Sequence, residues 1–194
     1  MRKAIHIILV LTVVGLISGA SLVFVYRYAK PLIAENQRRE TKEAIFKVFP
    51  KAHAYEKVKK DDEEIFLVKD KRANDLGYAF IAEGNGYQGK IKLMVGIKTD
   101  LITLSGIEIL ESQETPGLGQ EITERTFKKQ FINLKTLPFI SYVKGKQPEK
   151  ENEIQAITGA TISSKAVVSI LNEKIKKIRA VIARSEATKQ SQKR

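Results

Sequence analysis

Hydroxyl side chains and small residues crowd one short stretch near the C-terminal end of the chain, QAITGATISSKAVV, residues 155–168. The hydroxyl groups belong to Thr158, Thr161, Ser163 and Ser164. Because Ser and Thr are common N-cap residues, one interpretation is that the last three of these only cap the helix that follows. The other is that the start of this helix binds a phosphate, since its N–H groups are free and its dipole end is positive. The bare backbone at Gly159-Ala160 suits either role, and these residues alone leave both open.

A proline–glycine turn, ETPGLG at residues 114–119, is the second stretch whose residue types suit a binding site. Pro116 sets its own φ and Gly117 tolerates a positive φ, so the pair fits the two central positions of a type II turn. Gly119 adds a second permissive position, and such a turn lets backbone approach a ligand closely. A plain connection after a strand is the alternative, because Pro-Gly turns are common.

The elements that must position these stretches begin with a run of strands, predicted at residues 65–68, 77–83, 90–97 and 102–110. The third of these alternates with period two, which predicts a half-buried strand whose apolar face is made by Ile91, Leu93, Val95 and Ile97. GNGYQG supplies turn residues before it. Strands linked in succession by turns predict an antiparallel meander, preceded by a charged connection at residues 57–64.

Helices are predicted on both sides of these strands. Residues 30–49 form the first, with Pro31 in its first turn and Pro50 ending it. A short helix is expected at residues 124–131, with Thr123 as its N-cap. The last helix carries an apolar stripe at helical spacing, which indicates core packing by Val167, Leu171, Ile175, Ile178 and Ile182.

Residues 4–26 form an apolar run without Asp, Glu, Lys or Arg. As a helix, this run is about 35 Å long, which is enough to cross the hydrocarbon core of a membrane. A cleaved signal peptide is the alternative, with a small-residue site at residues 18–20. Since the apolar run continues through residues 22–25, where a signal peptide would have ended, we predict an uncleaved anchor. The flanking basic residues favour a cytoplasmic soluble domain, but this rule is weak when a large domain follows.

Composition excludes several classes of protein. The chain has 194 residues and a formal net charge of +12. Its basic residues are scattered and it has no Trp, so we expect no nucleic-acid partner. The absence of Cys excludes disulfides, thiolate nucleophiles and cysteine-ligated iron–sulfur clusters. Two distant histidines, His6 and His53, do not predict a metal site.

Taken together and in this order, behind a single anchor, these stretches resemble the FMN-binding domain family. The resemblance is specifically to the G subunit of the Rnf electron-transport complex, with the C subunit of the sodium-pumping NADH:quinone oxidoreductase as a close relative. It covers most of the chain: the anchor, the strands and turn GYAFIAEGNGYQGKIKLMVGI, then ETPGLG, FKKQF and TGAT. It implies an α+β fold, in which a single transmembrane helix precedes an FMN-binding domain with an antiparallel sheet and flanking helices.

In that family, the last Thr of a motif similar to Asp-x-x-Ser/Thr-Gly-Ala-Thr carries FMN, so the resemblance implies a covalent phosphoester on Thr161. A threonine hydroxyl can attack the FMN-side phosphorus of FAD, with AMP leaving, while a flavin transferase positions the donor. Gln155 stands where the family usually has Asp, and Ser112 where it often has His. The resemblance implies no catalytic residue and no metal ligand. The other implied cofactor-binding residues are Thr158, Gly159, Ala160, Ser163, Ser164 and Lys165 near the phosphate, and Glu114, Thr115, Pro116, Gly117, Leu118 and Gly119 near the ring.

The resemblance implies a membrane-anchored flavoprotein that relays electrons between reduced ferredoxin and NAD in a complex that moves Na⁺ or H⁺. Its implied partners are the other membrane and peripheral subunits, a flavin transferase and the lipid bilayer, with the soluble domain on the outer face of the cell membrane. Two alternatives stay open: the equivalent subunit of the quinone-reducing complex, and a non-redox anchored scaffold in which TGAT is only a cap. The predicted organisation is an anchor at 1–28, a helical connection at 29–55, an FMN-binding domain at 56–183 and a polar, disordered tail at 184–194.

Overall fold

The computed structural model describes residues 2–60 and 63–191, and the chain divides into two units, Met1–Thr41 and Lys42–Arg194. The first unit is helical and consists of the larger part of α1 (Arg2–Val48). A stretch of α1 is long and apolar enough to cross a membrane. Its large apolar side chains are exposed in the isolated chain, Phe24 by 75%. Because exposed apolar surface of this extent suits lipid surroundings, α1 is a candidate membrane span.

The helix predicted at residues 30–49 is part of α1 and does not begin at Pro31. The structure has Pro31 inside the helix. A proline in this position removes one hydrogen bond to the preceding turn. The residues on both sides include good helix formers such as Ala29 and Leu32, so the helix continues past Pro31 despite the missing hydrogen bond. Its end at Val48, two residues before Pro50, agrees with the prediction.

Five strands follow and form one antiparallel sheet in sequence order, which confirms the predicted meander. They are β1 (Ala54–Lys60), β2 (Glu63–Lys69), β3 (Asp75–Asn85), β4 (Lys90–Lys98) and β5 (Leu104–Ser112). The alternation predicted in β4 is confirmed as well, because its four predicted apolar residues are fully buried in one core cluster. The prediction that this strand is half-buried is wrong, because Met94 and Gly96 on its other face are also buried, against the end of α1. The turn that GNGYQG predicts joins β3 to β4.

The prediction of a charged connection at residues 57–64 is wrong for the described residues, because 57–60 belong to β1 and 63–64 to β2. β1 is an edge strand and pairs only with β2. Opposite charges face each other across this pair, with Lys57 Nζ 2.6 Å from Glu64 Oε1. Edge strands accommodate charged side chains that would be costly at the centre of a sheet, so composition alone did not indicate a strand here.

Both faces of the sheet are covered. One face packs against α3 (Thr161–Ser191), and the other packs against the end of α1. Gly96 allows the close approach of α1, since a Cβ atom at this position would lie 2.8 Å from the Phe49 ring. The hydroxyl of Ser105 donates a hydrogen bond of 2.5 Å to the Val48 carbonyl, which holds the last turn of α1 on β5.

Short elements connect β5 to α3: a 3₁₀ helix (Gly119–Thr123), α2 (Arg125–Lys129) and the parallel pair β6 (Ser141–Val143) and β7 (Glu153–Gln155). The short helix predicted at residues 124–131 is therefore present as α2. Its predicted N-cap, Thr123, is wrong. Glu124 precedes the helix instead and makes no side-chain cap. The Thr123 hydroxyl donates to the Gln120 carbonyl at 2.9 Å, because the preceding 3₁₀ turn brings that acceptor within reach.

The apolar stripe predicted on α3 is confirmed, since all five of its residues are buried. The prediction of disorder from Arg184 is wrong for residues 184–191, which continue α3. This segment contains neither Gly nor Pro and is rich in helix-forming residues, so the helix can extend past its last buried turn. Residues 192–194 lie outside the described residues.

Candidate functional site

A buried carboxylate, Glu114, joins three separate segments of the second unit. It belongs to the ETPGLG turn after β5 and is 5% exposed. Its Oε1 accepts hydrogen bonds from the N–H groups of Tyr87 (2.7 Å) and Gln88 (3.1 Å) in the turn between β3 and β4. Its Oε2 accepts a hydrogen bond of 2.5 Å from the Ser163 hydroxyl in the first turn of α3. One side chain therefore fixes two turns against the start of a helix.

Glu114 is ionised in this environment. Burial by itself would raise its pKa. The hydrogen bonds from the Ser163 hydroxyl and from the N–H groups of Gln88, Tyr87 and Gly89 outweigh burial and hold the pKa of Glu114 below its usual value. A carboxylate that accepts several hydrogen bonds is stabilised in its charged form, so Glu114 acts as an acceptor for its neighbours at neutral pH.

Two of the four clustered hydroxyls are engaged inside the chain. Ser163 donates to Glu114, as described. The Ser164 hydroxyl accepts from the Ile157 N–H at 3.0 Å and donates to the Ala160 carbonyl at 3.0 Å. The interpretation that Thr161 or one of these serines caps α3 is wrong, because the helix begins at Thr161 and an N-cap residue must precede the first helical residue.

Thr161 differs from these serines, because its hydroxyl has no hydrogen-bond partner within the described residues, 2–60 and 63–191. Its side chain is partly exposed and lines a pocket of about 330 Å³. Thr158 also has no such partner in this part of the chain, but it lines a different cavity. Of the four hydroxyls, only that of Thr161 lies beside this pocket without a hydrogen-bond partner among the residues that the structure describes.

The first turn of α3 supplies free donors next to Thr161. The first hydrogen bond into the helix is from the Ser164 N–H to the Ala160 carbonyl, at 3.0 Å. The preceding N–H groups, at residues 161–163, have no acceptor in the described part of the chain. Lys165 is exposed and lies four residues after Thr161, on the same side of the helix. Free N–H groups, the positive end of a helix dipole and a lysine form a donor set that fits the phosphate of FMN.

The ETPGLG turn has the conformation that its residues predict. Gly117 has a φ of 74°, and the Leu118 N–H bonds to the Thr115 carbonyl at 3.2 Å, as a type II turn with Pro116-Gly117 at its centre requires. This turn presents Leu118 to the pocket with its side chain half exposed.

Two further lining residues, Tyr87 and Ile162, were missed by sequence reasoning. Both have large exposed side chains, 69% and 58% accessible, and both line the pocket together with Leu118. Exposed apolar side chains around a pocket suit a flat aromatic ligand such as a flavin ring. In the sequence, the available signal was an aromatic residue within the turn GNGYQG and an apolar residue directly after Thr161, at positions that do not contribute to the core.

The predicted site residues divide into three groups by position. Thr158 lines the cavity described below, whereas four residues line neither cavity: Pro116, Gly117, Ser164 and Lys165. The structure brings the remaining eight together around the pocket: Glu114, Thr115, Leu118, Gly119, Gly159, Ala160, Thr161 and Ser163. No group of His, Asp or Glu side chains that would hold a metal ion occurs within residues 2–60 and 63–191.

A cavity of about 650 Å³ lies against the other end of the motif and is lined by Gln155 and Thr158. The backbone of Gln155 is fixed by Gln130, whose Oε1 accepts from the Gln155 N–H at 2.7 Å and whose Nε2 donates to its carbonyl at 3.2 Å. Sequence reasoning missed Gln130, because a glutamine at the end of a short polar helix carries no distinguishing signal. The position of Gln155 is therefore set through its backbone, whichever side chain it carries.

Substituting Gly119 by alanine tests how closely the turn and the helix start are packed. A Cβ atom there would clash with Glu114 Oε2 and would lie 2.6 Å from the Ser163 hydroxyl oxygen. We expect Gly119→Ala to break the Glu114–Ser163 hydrogen bond and to cost about 1–3 kcal/mol of stability, as overpacking does. Urea denaturation of the detergent-solubilised full chain, with pulse proteolysis as the readout, measures this loss.

Gly117→Ala is the matched control for this substitution. A Cβ atom at Gly117 meets nothing within 4 Å, so the only cost is that of a positive φ for alanine, about 1 kcal/mol. The Glu114–Ser163 hydrogen bond should survive in this control. An equal or smaller loss of stability in Gly119→Ala than in Gly117→Ala would contradict the packing described here.

Comparison with known proteins connects this site to one group of proteins. The FMN-binding domain family matches residues 86–176, which include both turns and the start of α3. The chain is 31% identical over 182 residues to the G subunit of the ion-translocating oxidoreductase complex of Methanosarcina acetivorans, a match that covers 90% of this chain and 94% of that protein. This chain belongs to the G-subunit family of Rnf-type complexes.

Further relatives of this Rnf-type chain support the assignment and the fold. The G subunit of the Na⁺-translocating ferredoxin:NAD⁺ oxidoreductase complex of Acetobacterium woodii is 32% identical over 183 residues, covering 86% of this chain and 87% of that protein. The crystal structure of NqrC from Shewanella oneidensis superposes with a TM-score of 0.55 at 22% identity. That match covers 64% of this chain and 65% of NqrC, so less than two thirds of each chain shares the fold.

Proposed function

We propose that this chain is a membrane-anchored flavoprotein subunit that carries FMN on Thr161 through a phosphoester and relays electrons within its complex. The observation that most directly supports this proposal is the position of Thr161. This residue is the first of α3 and lines the pocket. Its hydroxyl has no hydrogen-bond partner in the described part of the chain. A nucleophilic oxygen that is free, accessible and beside unused N–H donors suits attachment of a phosphate.

The residues around Thr161 have distinct proposed roles. The N–H groups of residues 161–163 and the side chain of Lys165 hold the phosphodiester. Leu118, Tyr87 and Ile162 pack against the ring, since all three present apolar surface to the pocket. When bound, the flavin supplies the electron-accepting and electron-donating chemistry, which the side chains of this chain do not provide. Glu114 holds the two turns and the helix start in place and acts as a positioning residue.

The proposed partners follow from the relatives. By analogy with the proteins from Acetobacterium woodii and Clostridium ljungdahlii, this chain operates in a complex that passes electrons between reduced ferredoxin and NAD and moves Na⁺ or H⁺. The equivalent role in a sodium-translocating quinone reductase is the second candidate, favoured by the shared fold with NqrC and by sequence similarity, over 53% of this chain, to a C subunit of the Na⁺-translocating NADH-quinone reductase. The match to the protein from Methanosarcina acetivorans over 90% of the chain favours the first. A flavin transferase that uses FAD is the proposed maturation partner.

The proposed topology is a single membrane span in α1 with the FMN-binding domain on the outer face of the cell membrane. The apolar stretch of α1 supports the span. Attachment through a covalent bond suits an outward-facing domain, because a flavin lost there would not be recovered by the cell. Protease added to intact spheroplasts should cut the second unit, and complete protection would place this domain in the cytoplasm instead.

Co-expression of the full chain with a flavin transferase tests the proposed function. We expect the denatured chain to fluoresce as a flavin in a gel and to gain the mass of FMN less one water, because a phosphoester survives denaturation. Expression without the transferase should give the unmodified chain. A non-fluorescent chain of unmodified mass in the presence of an active transferase would favour the anchored scaffold without a redox role.

A further inference from the structure

A cavity of about 600 Å³ lies where the end of α1, β5 and α2 meet in the second unit, and it shares no lining residue with the Thr161 pocket. It is as large as many small-molecule sites. Its apolar surface comes from Phe49, Pro50, Leu76, Ile107 and Ile132. Ile132 is 54% exposed, so much of its apolar side chain is left uncovered beside this cavity.

Positive charges surround this apolar surface. Six cationic side chains line the cavity: Lys47, Lys51, Lys98, Arg125, Lys128 and Lys129. One carboxylate, that of Glu108, lies among them, so the cavity carries an excess of five positive charges. Cations gathered around a concave apolar surface repel one another and create a positive potential that attracts an anionic partner.

Glu108 neutralises only part of this charge. Its two oxygens lie 2.9 Å from the ammonium groups of Lys47 and Lys128. Burial alone would raise the pKa of Glu108, but the hydrogen bonds from Lys128 and Lys47 outweigh burial and lower this pKa. The carboxylate therefore stays ionised, and both of its oxygens are paired with these two lysines. Lys51, Arg125 and Lys129 are exposed and have no acidic partner within the described residues.

We propose that this cavity docks an acidic segment of another protein, which inserts an apolar side chain against Ile132 and Phe49 and places carboxylates on the surrounding cations. The apolar surface disfavours a small hydrated anion, which would gain nothing from it. The cations come from α1, from the segment after it, from β4 and from α2, so they are spread over a rim rather than converging on one point. A spread rim fits several carboxylates along an extended chain better than a single headgroup.

A synthetic peptide tests this proposal with the full chain in a neutral detergent. The probe is a fluorescent Glu-rich peptide with one central phenylalanine, and binding is followed by fluorescence anisotropy. Replacing the phenylalanine by alanine, or the glutamates by glutamines, should each weaken binding by about tenfold or more, because one removes the apolar anchor and the other the charge. Binding should also weaken as the salt concentration rises.

Two charge-reversal variants provide the matched comparison. Arg125→Glu with Lys129→Glu changes two unpaired cations on α2, whereas Lys144→Glu with Lys176→Glu changes the net charge equally at exposed positions outside the cavity. We expect the first pair to weaken peptide binding by about tenfold and the second pair to leave it within about twofold. Hydrogen exchange should show peptide-dependent protection at residues 125–132 in the parent chain.

Several outcomes would overturn the proposal. Equal weakening by both charge-reversal pairs would mean that net charge alone attracts the peptide. Unchanged binding after replacement of the central phenylalanine would mean that the apolar surface is not used. Absence of peptide binding, with binding of dodecanoate or short-chain phosphatidylglycerol at the same residues, would assign the cavity to a lipid-like anion. Covalent flavin content should be unchanged in both variant pairs, so this test is independent of the proposed role of Thr161.

Discussion

We expect Thr161→Ala to remove all covalently bound flavin from the chain, which is the largest effect that we predict for a single substitution. The side-chain oxygen of Thr161 is the proposed phosphoester oxygen, and alanine offers no atom in its place. The fold should persist, because the Thr161 hydroxyl makes no hydrogen bond within residues 2–60 and 63–191 and alanine is favourable in a helix. In-gel flavin fluorescence and the intact mass of the denatured chain, after co-expression with a flavin transferase, measure the result.

Two variants make this result specific. Ser169→Ala removes an exposed hydroxyl from the same helix but outside the pocket, and it should keep full fluorescence. Thr161→Ser keeps an oxygen at the acceptor position and should restore part of the label. A fluorescent Thr161→Ala chain would show that another residue is the acceptor, whatever the level in the two companion variants.

Glu114→Ala is expected to destabilise the second unit by about 3 kcal/mol and to reduce flavin attachment. The substitution leaves the part-buried N–H groups of Tyr87 and Gln88 and the buried hydroxyl of Ser163 without their acceptor, and donors that lose their acceptor away from water are costly. Both turns and the start of α3 then lose their common anchor. Urea denaturation of the detergent-solubilised full chain gives the loss of stability, and in-gel fluorescence gives the flavin content.

Glu114→Gln separates the charge of this residue from its shape. An amide can still accept from Tyr87 and donate to Ser163, so we expect a smaller loss at neutral pH, about 1 kcal/mol. Because the folded-state pKa of Glu114 lies below its ordinary value of 4.5, its charge stabilises the folded chain above that pH. This contribution is lost as the pH falls through the lowered pKa. The difference in stability between the parent chain and Glu114→Gln should therefore shrink below about pH 4.5.

Glu111→Gln controls for the loss of one carboxylate, because Glu111 is exposed and lies three residues before Glu114. It should change stability by less than about 0.5 kcal/mol at any pH, as surface substitutions do. If the stability of Glu114→Gln followed that of the parent chain in parallel from pH 7 to pH 3, the charge of Glu114 would not contribute to folding. Equal flavin content in the parent chain and Glu114→Ala would show that Glu114 is not a positioning residue for flavin attachment.

The elements that could be predicted from the sequence are those in which one residue pattern has one physical interpretation. Alternation in β4 places four apolar residues on one buried face, and helical spacing on α3 places five in the core. The type II turn at Pro116-Gly117 follows from the φ values that proline and glycine favour. In each case the local pattern and the tertiary environment agree, so the local pattern was sufficient.

The elements that could not be predicted are those in which the environment overrides the pattern. β1 is rich in charge, which is typical of a connection, but pairing with β2 and opposite charges across the pair make it a strand. Pro31 favours a helix start, but helical residues on both sides carry α1 past it. The segment after Arg184 is polar, which is typical of a disordered tail, but it continues a helix whose first turns are anchored in the core.

The sequence by itself determined the meander, the apolar stripe of α3 and the two motifs, and it predicted an anchor and, through resemblance to one family, a flavin. Only the tertiary structure decided what each clustered hydroxyl does. Ser163 is bound to Glu114 and Ser164 to Ile157, whereas Thr161 lies beside the pocket and has no hydrogen-bond partner among the described residues. The physical reason is that a hydroxyl's availability depends on which donors and acceptors the fold brings within about 3 Å of it. The partner of Ser163, Glu114, lies 49 residues away in the chain, so the sequence around TGAT does not show that this hydroxyl is engaged.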